Sequence, residues 1–292
     1  MTIESSSITK SEDRLGATFH RSFSLVRSAV GQVLKLAANA GARKGNAGCL
    51  DKDTIRQLTH LGSIYVAAMP RYGYGMGLLS SGNCLTAFGQ AALKNDALLE
   101  QFDTLWLMHY FLCAPQGPGP AFWHDLVTSH FRAGNEFTAD HIAQQIADFF
   151  QHTEGKPLAE KSVRRTKTIF LGTYTKTEGL GKLGLLEVIG PNKYRVLEPE
   201  PPSPWVLGYA LLHYWKTQFG DRLTINLEVL YEEGGLSNLF LCGAGRLNRM
   251  LSTLQSEGYV DVYRVAPPYQ LVLLRQDSDS LLQKLYGHHK LT

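Results

Sequence analysis

The feature that most constrains this chain is a β-hairpin predicted directly after two helices in its middle third. The turn Gly190-Pro191-Asn192 separates two segments rich in β-branched and aromatic residues, 182–189 and 193–197, a pattern typical of paired strands. Before it, apolar residues recur at helical spacing after Thr138, the expected N-cap, and again from about residue 162 to 174. This order predicts a helix–turn–helix followed by a two-stranded wing, which is the winged-helix arrangement.

The C-terminal third repeats this order. Helices are predicted over 224–233 and 245–257, and Gly258 is the expected C-terminal glycine of the second. Strands predicted over 259–264 and 269–274 then flank a Pro-rich turn. The repetition indicates two units of the same kind.

The N-terminal third contains a weaker version. A helical stripe over 55–65 precedes a hairpin predicted over 72–79 and 84–86, where alternate glycines weaken the strand pattern. The Pro-rich run 198–204 is incompatible with a helix or a central strand, so it is the expected linker. Further apolar helices are expected over 103–113, 122–131 and 205–219.

The predicted fold class is therefore mainly α with small β-hairpins. It consists of tandem winged-helix-like domains joined by helical segments. The predicted domains are 14–95, 96–200 and 201–292.

Composition narrows the functional classes. Hydrophobic residues make up 44% and charged residues 19% of the chain, as in folded globular proteins. The longest apolar runs are far too short to cross a bilayer, and the first ten residues are polar, so no membrane partner or secretory signal is expected. The cysteines are widely spaced, which favours reduced cytoplasmic thiols over a disulfide framework or zinc knuckle. They are Cys49, Cys84, Cys113 and Cys242.

The strongest functional signal is positive charge around the second helix of the middle unit. Residues 161–195 hold eight basic side chains against two acidic ones, although the net charge of the chain is only +3. In a helix–turn–helix the N-terminal residues of the second helix meet base edges, and basic residues beside a wing turn meet phosphates. The candidates are Arg164, Arg165, Lys167, Thr168, Lys193 and Arg195. A solvated basic face is the alternative interpretation.

Arg246, Asn248 and Arg249 occupy the corresponding place in the C-terminal unit. Arginine pairs with guanine and asparagine with adenine, so these residues are further candidates for DNA contact. Glu228 and Glu232 lie close in sequence, which leaves docking of a protein partner open for this unit.

Basic residues near the N-terminus are candidates for additional phosphate contacts. They are Arg21, Arg27, Arg43 and Lys44. The last two lie in a Gly/Ala/Asn-rich stretch, 38–48, that reads as a flexible loop, where positive charge alternatively serves solubility alone.

No motif of catalysis, nucleotide binding or metal binding is present. The chain lacks a Gly-x-Ser-x-Gly elbow, a phosphate loop and His-Glu-x-x-His, and His109 on an apolar helix is predicted to be a satisfied core residue. A non-enzyme without cofactor or metal is expected.

Three segments resemble one known family. They are Leu98 to His109, Thr18 to Arg27, and Glu136-Phe137-Thr138. The family is an uncharacterised bacterial one, catalogued only as a domain of unknown function, and the similarity covers nearly the whole chain. It is similar to winged-helix proteins and occurs near DNA sulfur-modification and phage-defence genes. The resemblance thus implies a DNA-associated defence role and supplies neither a reaction nor functional residues; the chain departs from it at 72–77.

Two functions remain open. The first is a double-stranded DNA-binding protein, acting as a recognition or regulatory component of a bacterial DNA-modification or phage-defence system. The second is a scaffold that holds protein subunits of a complex without reading DNA. The scaffold is supported by aromatic residues, which are favoured in interfaces although cores claim them more often. They are Trp106, Trp123, Trp205, Trp215, Tyr209 and Tyr214.

Overall fold

The structure is a computed structural model that describes residues 14–44, 50, 55–57 and 63–287. Its principal helices are α1 (Arg27–Lys44), α2 (Ser63–Gly75), α3 (Ala87–Asn95), α4 (Phe102–Cys113), α5 (Ala121–His130), α6 (Ala139–His152), α7 (Glu160–Thr175), α8 (Pro204–Phe219), α9 (Leu236–Leu239), α10 (Ala244–Ser256) and α11 (Ser278–Gly287). The strands are β1 (Glu136–Thr138), β2 (Leu186–Gly190), β3 (Lys193–Val196), β4 (Thr224–Asn226), β5 (Val260–Tyr263) and β6 (Gln270–Leu273).

The middle unit comprises β1, α6, α7, β2 and β3. Its strands form an antiparallel sheet in which β3 lies between β1 and β2, with Glu136 opposite Arg195. The Thr138 side chain accepts a hydrogen bond from the His141 amide and caps α6, as the sequence predicts. Asn192 has a φ of +63° in the hairpin turn, a left-handed conformation that asparagine tolerates. The predicted helix pair and hairpin are therefore confirmed here, except that the strand expected from residue 182 begins only at Leu186, after a 3-10 helix over Gly181–Leu183.

The C-terminal unit has the same connectivity. After α8 come β4, α9, α10 and the hairpin of β5 and β6, and the sheet order is β4-β6-β5. Gly258 has a φ of +73° just after α10, as expected of a C-terminal glycine. The protein is thus mainly helical with two small antiparallel sheets of three strands each among the described residues.

Each sheet also contains a third strand that the sequence pattern does not predict. The prediction of a helix over 224–233 is wrong, because this segment forms β4 and then a 3-10 helix, Leu227–Leu230. β1 lies directly before α6 and includes its N-cap, Thr138, where no strand is predicted. Each strand has three residues and buries only one of them, Phe137 or Ile225. A strand this short shows no measurable alternation.

The N-terminal hairpin predicted over 72–79 is wrong. The first four of these residues end α2, and the pairing described there is one isolated bridge between Leu79 and Leu85. Gly73 lies so close to the Leu79 side chain that a Cβ would approach it to 2.8 Å. The glycines therefore allow close packing of a helix end. The loop predicted from residue 38 is also wrong as far as Lys44, because α1 continues to that residue.

Buried apolar residues form one continuous core around α4. Every residue of α4 from Asp103 to Cys113 is buried. The aromatic residues that supported a scaffold are largely core residues. Tyr209 is partly buried and packs against the core, and the other five are buried: Trp106, Trp123, Trp205, Trp215 and Tyr214. They are therefore accounted for by internal packing.

The Pro-rich segment between the two units is held at both ends. The Ser203 amide donates to the Asp103 carboxylate at 3.1 Å. Arg246 on α10 donates to the Pro199 carbonyl at 3.2 Å and forms an ion pair with Glu198 at 3.0 Å. The segment thus follows the protein surface.

The cysteines differ from the expectation of four reduced thiols. Cys84 is disulfide-bonded, whereas Cys113 and Cys242 are free and buried. Cys49 lies outside the described residues.

None of the helices in the described part of the chain combines the length and apolar character needed to span a membrane.

Candidate nucleic-acid interface

One face of α7 presents positive charge to solvent. Lys161, Arg164, Arg165 and Thr168 are exposed at helical positions i, i+3, i+4 and i+7, and we call them the α7 stripe. The opposite face, which includes Val163, is buried against the core. Helical geometry thus separates the cations from the apolar residues and places them side by side. Lys161 belongs with the predicted residues, and helical periodicity applied to the charge run is the signal that would have identified it.

The contacts that the α7 stripe makes with described residues would compete only weakly with a bound anion. Arg164 pairs with Glu160 one turn earlier, in an exposed ion pair, and such pairs contribute little because water screens both charges. The Arg164 pKa is raised, by its hydrogen bond to Glu160 and by the carboxylate charge. Arg165 Nη1 donates to Ser22 Oγ at 2.6 Å. The Thr168 hydroxyl bonds back to the Arg164 carbonyl at 2.9 Å.

Lys167 lies on a different side of α7 from the stripe. Its side chain is only 18% exposed, and Nζ lies 3.5 Å from Asp140 Oδ1. The other carboxylate oxygen of Asp140 accepts a hydrogen bond from the Asn192 side chain at 3.0 Å. Asp140 therefore connects α7 to the hairpin turn, and Lys167 serves this connection.

The two basic residues of the hairpin have different surroundings. Arg195 lies between carboxylates of the neighbouring strands: Nη2 is 2.7 Å from Glu136, and Nη1 is 3.7 Å from Glu187. The hydrogen bond to Glu136, and then its charge, raise the Arg195 pKa. Lys193 is exposed and forms no ion pair with a described residue. Lys193 is thus the more accessible cation of the hairpin.

The C-terminal candidates are mostly engaged within the chain. Arg246 holds the Pro-rich segment, as described above. Asn248 Oδ1 accepts hydrogen bonds from Tyr231 at 2.6 Å and from Arg264 at 2.5 Å. Arg249 is exposed. The structure therefore does not reproduce at this helix the row of accessible cations found on α7.

The N-terminal arginines also differ from one another. Arg27 is 4% exposed and donates to the Thr177 carbonyl at 2.7 Å and to that of Leu99. The prediction of a phosphate contact for Arg27 is wrong, because its guanidinium is buried and both terminal nitrogens donate to backbone oxygens. Arg21 is exposed and lies next to α7. The side chains of Arg43 and Lys44 lie outside the described residues.

A buried hydrogen-bond network holds α7 in place. Trp123 Nε1 donates to the Tyr174 hydroxyl at 2.9 Å, and that hydroxyl lies 3.1 Å from His109 Nδ1. His109 Nε2 lies 2.9 Å from the Leu239 carbonyl, which only accepts, so Nε2 carries the proton and Nδ1 accepts from Tyr174. His109 is fully buried and satisfied, as predicted. The network joins α5, α7, α4 and α9.

We expect stability to fall in mild acid because buried histidines must remain neutral. Burial lowers the pKa of His20, His109 and His213 to about 4 in the folded protein, from 6.5. Between about pH 6.5 and 4 the unfolded chain therefore binds more protons, so stability present above pH 6.5 is lost as the pH falls towards 4. Fully buried His109 alone accounts for about 3 kcal/mol. Urea unfolding of wild type and His109→Gln at several pH values measures this loss; an equal pH dependence in both would contradict it.

Within the described ranges, no group of three or more His, Cys, Asp and Glu side chains is placed to hold a metal ion.

Comparison with solved structures finds two crystal structures of SspB, one of them magnesium ion-bound. The magnesium-bound structure aligns with a TM-score of 0.71 and 17% identity, over 93% of this chain and 87% of that one. The other aligns with the same TM-score and identity over 94% and 89%. At this identity the likeness shows a shared fold.

Comparison with protein sequences places the chain in a family. No match was found among curated proteins. The model of a family described as a protein of unknown function, DUF4007, matches residues 66–286 of the 292. This match spans more than half of the chain, in agreement with the predicted resemblance to an uncharacterised family. The protein belongs to the DUF4007 family.

Proposed function

We propose that this protein binds double-stranded DNA without catalysing a reaction, through winged-helix-like units of which the middle one makes the main contact. Its biological role would be recognition or regulation in a bacterial DNA-modification or phage-defence system, as the family resemblance implies. The observation that carries the proposal is the α7 stripe, on the second helix of a unit with strand–helix–helix–hairpin order. In related architectures the second helix enters the major groove.

The α7 stripe offers the chemistry that DNA recognition needs. Arginine forms two parallel hydrogen bonds with guanine O6 and N7 or with phosphate, and threonine bonds phosphate or contacts the thymine methyl. To make such a contact, Arg164 loses only its exposed ion pair with Glu160. Three cations within two turns also attract the duplex before any specific contact forms.

The hairpin adds a second contact. Asp140 bonds both Lys167 of α7 and Asn192 of the turn, so the turn lies beside the helices. Lys193 follows Asn192 directly and is exposed, which suits it to a phosphate contact. Lys167 and Arg195 have structural roles, because each forms an ion pair with a carboxylate within the unit.

The salt dependence of binding tests the proposal. Fluorescence anisotropy with a labelled duplex is expected to give a log–log dependence of the association constant on salt with a slope of about −3 or steeper, because each neutralised phosphate releases counterions. The measurement covers about 50 to about 200 mM salt. Absence of binding at the lowest salt, to both mixed-sequence and phosphorothioate duplexes, would refute the proposal.

A protein partner for the C-terminal unit is a second candidate. Four large apolar side chains of this unit are exposed, namely Leu223 (61%), Tyr263 (50%), Val265 (96%) and Leu274 (58%). Its helix α10 also lacks the accessible row of cations found on α7. Stable co-purification of a protein that binds through this surface, together with no retention on DNA, would favour a scaffold over the DNA-binding function.

A further inference from the structure

A cavity of about 440 Å³ opens beside the first two turns of α7. It is lined by Thr18, His20, Arg21 and Ser22 from the segment before α1, and by Ser162 and Arg165 from α7. Ala67 of α2 completes the wall. The lining thus contains two guanidinium groups and several hydroxyls, and no carboxylate among the described residues.

The positive charge at this cavity is not balanced by the described part of the chain. Neither Arg21 nor Arg165 forms an ion pair with a described carboxylate, and the Arg165 side chain donates a hydrogen bond to the neutral Ser22 hydroxyl. Arg71 lies close by: burial, and then the charge of Arg21, lower its pKa. Arg21 thus faces the like charge of Arg71, and the two guanidinium groups that line the cavity favour an anion within it.

The loop that carries Arg21 and Ser22 is fixed in an unusual conformation. These consecutive residues have φ values of +46° and +76°, although neither is glycine. The Ser22 amide donates to His20 Nδ1 at 3.0 Å, and His20 Nε2 lies 3.3 Å from the Thr166 hydroxyl of α7. Such conformations persist only where the surrounding structure imposes them, and they occur often at ligand sites. Here the buried His20 ring fixes the loop to α7.

We propose that this cavity binds a phosphate group, held by the guanidinium groups of Arg21 and Arg165 and by the Ser22 hydroxyl. The planar fork of arginine matches phosphate geometry, and hydroxyls complete such sites. The cavity has the size of a small-ligand pocket, so the phosphate arrives attached to a larger group. The phosphate could belong to DNA bound beside α7 or to a free mononucleotide. Only the assignment to DNA rests on the proposed function; the binding of a phosphate group does not.

The first experiment measures phosphate binding to the full chain by calorimetry. Deoxycytidine 5′-monophosphate is expected to bind, and deoxycytidine, which lacks the phosphate, is not. Arg165→Ala and Arg21→Asn are each expected to weaken the nucleotide by about tenfold or more, because each removes a charge-assisted hydrogen bond. Asparagine suits position 21 because it tolerates a positive φ. Circular dichroism and melting temperature confirm that the variants are folded.

Two further variants sharpen the result. Lys94→Ala removes an exposed positive charge from α3, which does not line the cavity, and is expected to leave nucleotide affinity unchanged. Ala67→Leu fills the cavity without changing charge and is expected to abolish nucleotide binding. Equal binding of nucleotide and nucleoside, or unchanged nucleotide affinity in Arg21→Asn and Ala67→Leu, would overturn the proposal.

Duplex binding distinguishes the two sources. If Arg21→Asn and Ala67→Leu also weaken duplex DNA, the cavity takes a DNA phosphate. If the wild type binds the nucleotide but no duplex, the proposed function fails and the phosphate site stands with a free nucleotide as its source. If the wild type binds duplex but no mononucleotide, and these two variants bind duplex like the wild type, the phosphate site fails and the proposed function stands.

Discussion

The double variant Arg164→Ala/Arg165→Ala is expected to lower the affinity for duplex DNA by at least about 30-fold at fixed salt. Both guanidinium groups belong to the α7 stripe. On binding DNA, Arg164 would lose an exposed ion pair with Glu160, and Arg165 would lose a hydrogen bond to the Ser22 hydroxyl. Anisotropy titrations of the variant and the wild type against the same duplex measure the change. Melting temperatures establish that both proteins are folded under these conditions.

The matched control is Lys94→Ala/Lys216→Ala, which removes two exposed cations from α3 and α8. It has the same net charge as the double arginine variant but leaves the α7 stripe intact. An equal loss of affinity in both variants would show that binding reflects overall charge, and α7 would then not be the reader. Loss of sequence preference in the arginine variant would indicate base contacts, whereas a uniform loss with a shallower salt slope would indicate phosphate contacts.

The second large effect concerns the stability of the helix that carries the stripe. Tyr174→Phe removes the hydroxyl that accepts from Trp123 and donates to His109. Two buried polar groups then lose their partner, and each such group costs about 1–3 kcal/mol. The free energy of unfolding is therefore expected to fall by about 2–6 kcal/mol. Urea denaturation at pH 7.5, above the range in which the histidines titrate, measures it.

Tyr214→Phe provides the comparison, because Tyr214 is also buried but its hydroxyl has no hydrogen bond with a described residue. This variant deletes the same atom and is expected to change stability far less. Similar losses in the two variants would mean that the network around Tyr174 contributes no more than packing. Below its melting temperature, Tyr174→Phe is expected to retain DNA affinity, since none of the stripe residues belongs to the network.

The sequence predicts best those elements that local chemistry determines. The hairpin at Asn192 is recognisable because Gly190, Pro191 and Asn192 suit a tight turn, and α6 because Thr138 supplies its cap. β1 and β4 escape prediction because their pairing partners, β3 and β6, lie far along the chain. Three residues carry too little pattern to reveal a partner at that distance.

The candidate site divides in the same way. The charge run and helical spacing lead to the α7 stripe directly. The roles of Lys167 and Arg195 are not visible in the sequence, because the carboxylates that hold them lie 27 and 59 residues away. The sequence likewise does not reveal the cavity beside α7, because this cavity depends on the N-terminal loop packing back against the helix. The sequence shows which side chains are charged, but tertiary contacts decide which of them can contact a ligand.

The anchored Pro-rich segment sets the geometry of any contact that involves both units. Because Arg246 and Asp103 fasten this segment at its two ends, it does not act as a free tether. The segment therefore does not let the two units bind independently of each other, as a flexible linker would. A duplex that touches both must present its two contact points at one fixed separation and one rotation about the helical axis, and any other arrangement would require the DNA itself to bend.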